Sequence, residues 1–288
     1  MTAIDIVIPA HVKDFAVLRH SVRGVLRYLR PIGRVFIVSR EPFQCPDARV
    51  VWVPESAAEL TLPSLAAVQA KWTARRADGA RAAWIYQQLL KLGAPNYIDS
   101  LSPAYLVVDS DVVFLRDVSL VSDPPIRFPY SHAYEHHEAY RDAYQRLFGN
   151  SPSTGHSLTG HHMLYDQALL HDMMREIEDR HGTSWTDAYI DAVDYRQDSS
   201  ISEMDVYGWW VLERHPELAA RRQLLWRDTA VVPGPVGRAM YARDYDFVAA
   251  HAWMRASRWR RAAATFAHMA REVRADAARR RIGPARPR

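Results

Sequence analysis

The stretch Ala104-Tyr105-Leu106-Val107-Val108-Asp109-Ser110-Asp111 decides the fold. An apolar run of this length, stopped by turn-forming residues, reads as a strand buried on both faces. In open α/β sheets, ligands sit beyond the carboxyl ends of the strands. Two carboxylates two residues apart at such an end suit one hard divalent cation, Mg²⁺ or Mn²⁺, that shares its oxygen ligands with phosphates. Pattern alone is weak: with 22 Asp in 288 residues, chance gives about 1.7 Asp-x-Asp matches. A second match stands at Asp244-Tyr245-Asp246. Context separates the two. The first follows an apolar run, whereas the second lies in a polar stretch and reads as a turn. The alternative for Asp109 and Asp111 is a turn in which both cap backbone groups.

Upstream, Ile4 to Pro9 reads as a strand and Phe15 to Leu29 as a helix, with apolar residues at Phe15, Leu18, Val22, Val25, Leu26 and Leu29. Pro31 and Gly33 end that helix. Arg34 to Val38 and Arg49 to Val53 read as strands, Ser64 to Arg76 and Ala80 to Leu92 as helices. This order opens an α/β sheet. Downstream, Glu135 to Phe148 and Gln167 to Arg180 read as helices around a polar loop, Gly149 to Gly160, and a strand, His161 to Tyr165. Thr183 to Val193 reads as a shorter helix. Ser202 is a candidate N-cap for a helix starting near Glu203. Leu224 to Val232 and Phe247 to Ala250 read as short strands, and Arg258 to Arg281 as a basic helix. The expectation is one α/β domain over 1–254 with a mixed central sheet and flanking helices. Its first half, to about residue 118, would bind a nucleotide, and its second half would supply the other substrate's wall. A basic tail, 255–288, would follow.

Composition narrows the classes. Nine Trp, fourteen Tyr and eight Phe need a packed core. No apolar run of membrane-spanning length exists, and the N-terminus reads as a strand rather than a signal peptide, so a cytoplasmic protein is expected. One cysteine, Cys45, excludes an internal disulfide and a cysteine zinc cluster. Of 37 basic and 33 acidic residues, eleven Arg and two acids lie in Arg255–Arg288, which leaves 26 and 31 before it. The body is slightly acidic and the tail basic. That balance argues against a nucleic-acid-binding body and leaves the tail for peripheral contact with an anionic membrane face.

With these residues in view, the sequence resembles the GT-A glycosyltransferases, and looks closest to a poorly annotated bacterial group of them. The resemblance is carried by Asp5-Ile6-Val7-Ile8-Pro9-Ala10-His11-Val12-Lys13-Asp14, by Trp84 to Leu92, and by Tyr105 to Phe114 with its Asp-Ser-Asp. It continues in Thr159-Gly160-His161-His162-Met163-Leu164-Tyr165-Asp166 and Ser202-Glu203-Met204-Asp205-Val206-Tyr207-Gly208. It implies a metal-dependent transfer of a sugar from a nucleotide-sugar, by family habit a UDP-sugar, to a hydroxyl of a glycan, lipid-linked saccharide or natural product. It implies Mn²⁺ or Mg²⁺ on Asp109, Asp111 and a late histidine, His251. Pro9, His11, Lys13, Asp14 and Arg40 would line the donor, joined by Gln87, Gln88, Lys91, Asp109 and Ser110. Lys91 shares a helix face with Gln87 and would neutralise phosphate charge. Glu203 or Asp205, at a helix start that favours an ionised carboxylate, would be the base of an inverting reaction.

Other residues carry competing readings. His161 and His162 alternate across a strand, so one of them would face the acceptor or diphosphate pocket. Trp209, next to Trp210, is either a sugar platform or core, since adjacent helical residues point about 100° apart. His132, His136 and His137 read as ordinary surface histidines. Two other functions remain open on the sequence: a nucleotidyltransferase, although no Gly-rich phosphate loop follows the first strand, and a non-catalytic scaffold of the same fold.

Overall fold

In the computed structural model, residues 3–75, 81–121, 127–133, 137–251 and 254 are described. Strand β1 (Ile4–Pro9) is buried along its whole length: Ile6 to Pro9 are apolar, and Asp5 is matched by Arg34 at 2.9 Å. Helix α1 (Phe15–Tyr28) buries Val17, Leu18, Val22 and Val25 on one stripe. Strands β2 (Ile32–Ser39) and β3 (Val50–Pro54) follow, then helices α2 (Leu65–Thr73) and α3 (Ala82–Leu92). Strand β4 (Ala104–Val108) runs through the Asp-Ser-Asp turn into β5 (Val112–Phe114). The second half contributes β6 (Phe128–Tyr130), α4 (Glu138–Phe148), β7 (His162–Asp166), α5 (Gln167–His181), α6 (Trp185–Asp191) and α7 (Glu203–Arg214). It closes with β8 (Ala219–Arg221), β9 (Trp226–Thr229), α8 (Pro235–Tyr241) and β10 (Phe247–Ala250).

The main sheet has the order β3-β2-β1-β4-β7. Its first four strands are parallel, and β7 closes the edge antiparallel to β4, with Val108 opposite His162. A second sheet pairs β9 with β10 in parallel and β10 with β5 antiparallel. The fold is thus mixed α/β with flanking helices, as the strand and helix order predicts. Side chains alternate across the main sheet. Ile6, Ile8, Leu106 and Val108 meet α1 on one face. Val7, Tyr105, Val107 and Tyr165 meet α3 and α7 on the other. Gly24 lets α1 lie directly on β5: a Cβ there would stand 2.9 Å from the Phe114 nitrogen and 3.1 Å from its carbonyl oxygen.

Strand bounds differ from the sequence reading mainly in the second half. β6 and β8 have three residues each, too few to show periodicity, and among the described residues they pair only with each other. Asp244 does sit in a turn, and Asp246 is fixed by Arg116 at 2.6 Å and by the Leu225 N–H at 2.7 Å. The basic tail expected over 255–288 lies outside the described residues. Among the described residues, no helix is long and apolar enough to cross a membrane.

Candidate functional site

The Asp-Ser-Asp turn is where the chain passes from one sheet to the other. The Asp109 N–H donates to the His161 carbonyl at 2.9 Å, extending the β4–β7 ladder by one residue. The Asp111 carbonyl accepts from the Ala250 N–H at 2.9 Å, starting the β5–β10 ladder. Both carboxylates therefore project where two sheet edges meet. The loops after β1 and β2 leave the main sheet at the same edge, because β1, β2 and β4 are parallel.

Five further side chains converge there. From α3, Lys91 Nζ lies 2.7 Å from Asp109 Oδ1 and 2.7 Å from Glu203 Oε1, and both ends of the Lys91–Glu203 pair are buried. Burial disfavours the ammonium, but the two carboxylates outweigh it and hold the Lys91 pKa above the ordinary lysine value. Burial likewise disfavours the Asp109 carboxylate, yet Lys91 and His161 hold its pKa well below the usual range. His161 Nδ1 stands 3.3 Å from Asp109 Oδ2, and its Nε2 is 3.7 Å from Asp228 Oδ1, longer than a hydrogen bond. His251 bridges Asp111 (Nδ1 to Oδ2, 3.1 Å) and Asp228 (Nε2 to Oδ1, 3.2 Å). Burial opposes charge on both imidazoles. The carboxylates prevail, pushing His161 up to about 10 and His251 up to about 9. Asp228 is held well below the usual carboxylate range by the two histidines, against its own burial.

His161 has φ +63°, a left-handed backbone conformation that non-glycine residues seldom adopt. It immediately precedes β7 and sets the ring against Asp109. His162, one position on, points elsewhere. Its Nδ1 meets the Gly160 carbonyl at 2.7 Å, its ring packs edge-on to Phe114 and Phe247, and burial lowers its pKa to about 4.

The group fits a divalent ion in its chemistry. His161, Asp228 and His251 each offer one ligand atom, all within 4.8 Å of one another. An ion with bonds of about 2.1 Å holds adjacent ligands about 3.0–3.4 Å apart and opposite ones about 4.2 Å apart, so these atoms would draw together to take one ion. Carboxylate oxygens favour Mg²⁺ or Mn²⁺, and imidazole adds affinity for transition metals. Binding would displace the imidazole protons, since a ligating nitrogen is unprotonated.

The remaining expected residues occupy other places. Gln87 Nε2 donates to the Pro9 carbonyl at 3.3 Å, tying α3 to the end of β1. Gln88 is buried and fixes the start of α7: its Oε1 accepts from the Glu203 N–H at 3.0 Å, and its Nε2 donates to the Ile201 carbonyl at 3.3 Å. His11 and Lys13 are exposed, and His11 Nδ1 accepts from the Lys13 N–H at 3.2 Å. The Asp14 N–H donates to the His11 carbonyl at 2.8 Å, completing the turn after β1. Arg40 is largely exposed, with Nε 3.9 Å from Glu55. Ser110 is buried between the two aspartates.

Asp205 is fully buried on the far side of the α7 start from Lys91's contacts. Its oxygens accept from the Ser157 hydroxyl at 2.9 and 3.0 Å and from the Leu158 N–H. Burial outweighs these bonds and pushes its pKa up to about 7. Trp209 is buried, donates Nε1–H to the His156 carbonyl at 2.8 Å, and meets Tyr144 edge-on. The polar loop 149–160 is thus pinned by α7, with Glu213 also accepting from Asn150 and the Ser153 N–H.

Asp228 is the member that sequence reasoning missed. The available signal was a lone carboxylate inside the run Leu224-Leu225-Trp226-Arg227-Asp228-Thr229.

Comparisons with known proteins place the chain as follows. No curated protein matches it. Among solved structures, it is similar to apo mouse xyloside xylosyltransferase 1, with 13% identity and a TM-score of 0.45 over 87% of this chain and 98% of that one. A model described as "Family of unknown function (DUF6492)" matches residues 2–241. Because that match covers most of the sequence, the chain belongs to the DUF6492 family.

Proposed function

We propose that this protein is a metal-dependent glycosyltransferase, taking a sugar from a nucleotide-sugar, by resemblance a UDP-sugar, to an acceptor hydroxyl. One observation carries this reading. Asp109 and Asp111 stand at the carboxyl edge of a parallel sheet and meet His161, Asp228 and His251 there.

In this reading Asp109, Asp111 and His251 hold Mn²⁺ or Mg²⁺, with Asp228 and His161 beside them. When bound, such an ion neutralises the donor diphosphate and stabilises the departing nucleotide. The chain's own residues do the rest. Lys91 fixes Asp109 in place and removes repulsion between it and Glu203. The loops carrying Pro9, His11, Lys13, Asp14 and Arg40 line the nucleotide, within a donor half reaching to about residue 118. Residues 119–254 shape the acceptor side, to which His161 contributes its ring. Of the two candidate bases, Glu203 is the one linked to the cluster. Asp205 serves as the anchor of the 157–159 loop.

The test is calorimetry of UDP, GDP, CDP and TDP, each with and without Mn²⁺. Binding of one nucleotide only with metal, lost in Asp111→Ala, supports the reading. Absence of binding under every condition overturns it.

A further inference from the structure

Several arginines of the described surface have an acidic partner, such as Arg34 with Asp5, Arg116 with Asp246, or Arg214 with Glu176. Arg19, Arg23 and Arg27 are different. They are spaced four apart on the exposed face of α1, and among the described residues none of them forms an ion pair. The row separates two grooves. One, of about 330 Å³, runs between α1 and α8 and is lined by Arg23, Arg27, Arg238 and His20 with no carboxylate. The other, of about 400 Å³, lies toward Phe43, Cys45 and Asp47, and Asp47 is already held by Arg49 at 2.7 and 3.0 Å.

Beside the first groove stands an apolar ridge. α8 has no buried residue, and its Val236 and Met240, four apart, are 76% and 62% exposed. Val231, just before it, is 58% exposed. Leaving these apolar side chains in water is unfavourable, and covering them would be favourable. The helix is nevertheless held in position. Arg238 Nε–H donates to the Pro233 carbonyl at 2.8 Å, Arg238 Nη2 meets His20 Nδ1 at 2.9 Å, and Tyr241 packs against Val113, Leu115 and Val248.

We propose that this α1–α8 face docks on an anionic membrane surface. Val231, Val236 and Met240 would enter the boundary between headgroups and acyl chains. Arg19, Arg23, Arg27 and Arg238 would take lipid phosphates. Fixed apolar tips beside an unneutralised cationic row are what an interfacial seat needs, whereas a soluble polyanion would use the cations alone. The inference stands independently of the proposed activity.

The test is sedimentation of the full chain with sucrose-loaded vesicles, of phosphatidylcholine alone or mixed with phosphatidylglycerol. Three variants are compared with the native chain. Val236→Ser/Met240→Ser keeps the charge and touches only exposed positions. Arg19→Glu/Arg23→Glu/Arg27→Glu reverses the row. Arg279→Glu/Arg280→Glu/Arg281→Glu makes the same charge change elsewhere in the sequence. The expected result is binding to the anionic vesicles only, weakened about tenfold or more by each of the first two variants and less by the third. The proposal is overturned by absence of binding to either vesicle. It is equally overturned if the serine variant binds like the native chain, which means plain electrostatic adsorption, or if the 279–281 variant loses as much as the α1 variant.

Discussion

Lys91 and Glu203, 112 positions apart in the chain, meet at 2.7 Å in the interior, and the same ammonium stands 2.7 Å from Asp109. One cation thus joins the middle of the first half to the start of α7. Removing it strands a buried carboxylate. Lys91→Met is expected to destabilise the protein by about 3–5 kcal/mol in urea unfolding. Adding Glu203→Gln should cost less than the sum of the two single changes, because the two side chains share one interaction.

Mn²⁺ is expected to raise the melting temperature of the native chain, since an ion at 100 times its Kd stabilises by about 2.7 kcal/mol. Asp111→Asn, His251→Gln and Asp228→Asn should each reduce that rise in a thermal scan with and without Mn²⁺. A full rise in Asp228→Asn would show that Asp228 neither touches the ion nor positions His251 for it.

Glu203→Gln and Asp205→Asn should part company in turnover. If Glu203 is the base, its amide variant binds donor normally by calorimetry but loses about 10²–10⁴-fold in rate. Asp205→Asn should retain rate in whatever fraction remains folded.

Asp205 also predicts a pH dependence of stability. Its folded pKa is about 7, against 3.8 for an ordinary aspartate, so between these values the native state holds a proton that the unfolded chain has released. Its stabilising contribution is present below about pH 4 and is lost as pH rises toward 7, with a slope near 1.4 kcal/mol per pH unit for one proton. Urea unfolding between pH 4 and 8 should show this slope in the difference between the native chain and Asp205→Asn, in which the contributions of the buried histidines cancel.

Gly24→Ala tests the seat of α1. The added Cβ would stand 2.9 Å from a backbone nitrogen of β5, which cannot swing aside like a flexible side chain. The expected loss is about 1–3 kcal/mol, read from the urea midpoint.

Much of the frame was legible because it depends on local pattern. The apolar runs at Ile4 to Pro9 and Ala104 to Val108 are strands, and Ser202 caps α7 with Glu203 as its first residue, its hydroxyl accepting the Asp205 N–H. The meeting of Asp111 with His251 and of Lys91 with Asp109 is found among the residues singled out in the sequence. What stayed hidden depends on partners far away in the chain. Nothing adjacent to Asp228 announces His161 and His251. Nothing local tells Asp205, enclosed by Ser157 and Leu158, from Glu203, enclosed by Lys91. The choice between His161 and His162 needed the backbone turn at His161, which alternation along a strand does not contain.

The scatter of the carboxylate–imidazole cluster along the chain also fixes when it can exist during synthesis. A nascent polypeptide that has emerged through α7 already contains all five strands of the main sheet, together with Lys91, Asp109, His161 and Glu203. It still lacks Asp228 and His251, which arrive with β9 and just after β10. Contacts of such long sequence separation form late. If the cluster holds a cation as proposed, the site is complete only once His251 has joined Asp109 and Asp111, so full-strength binding reports that translation and folding have both reached β10.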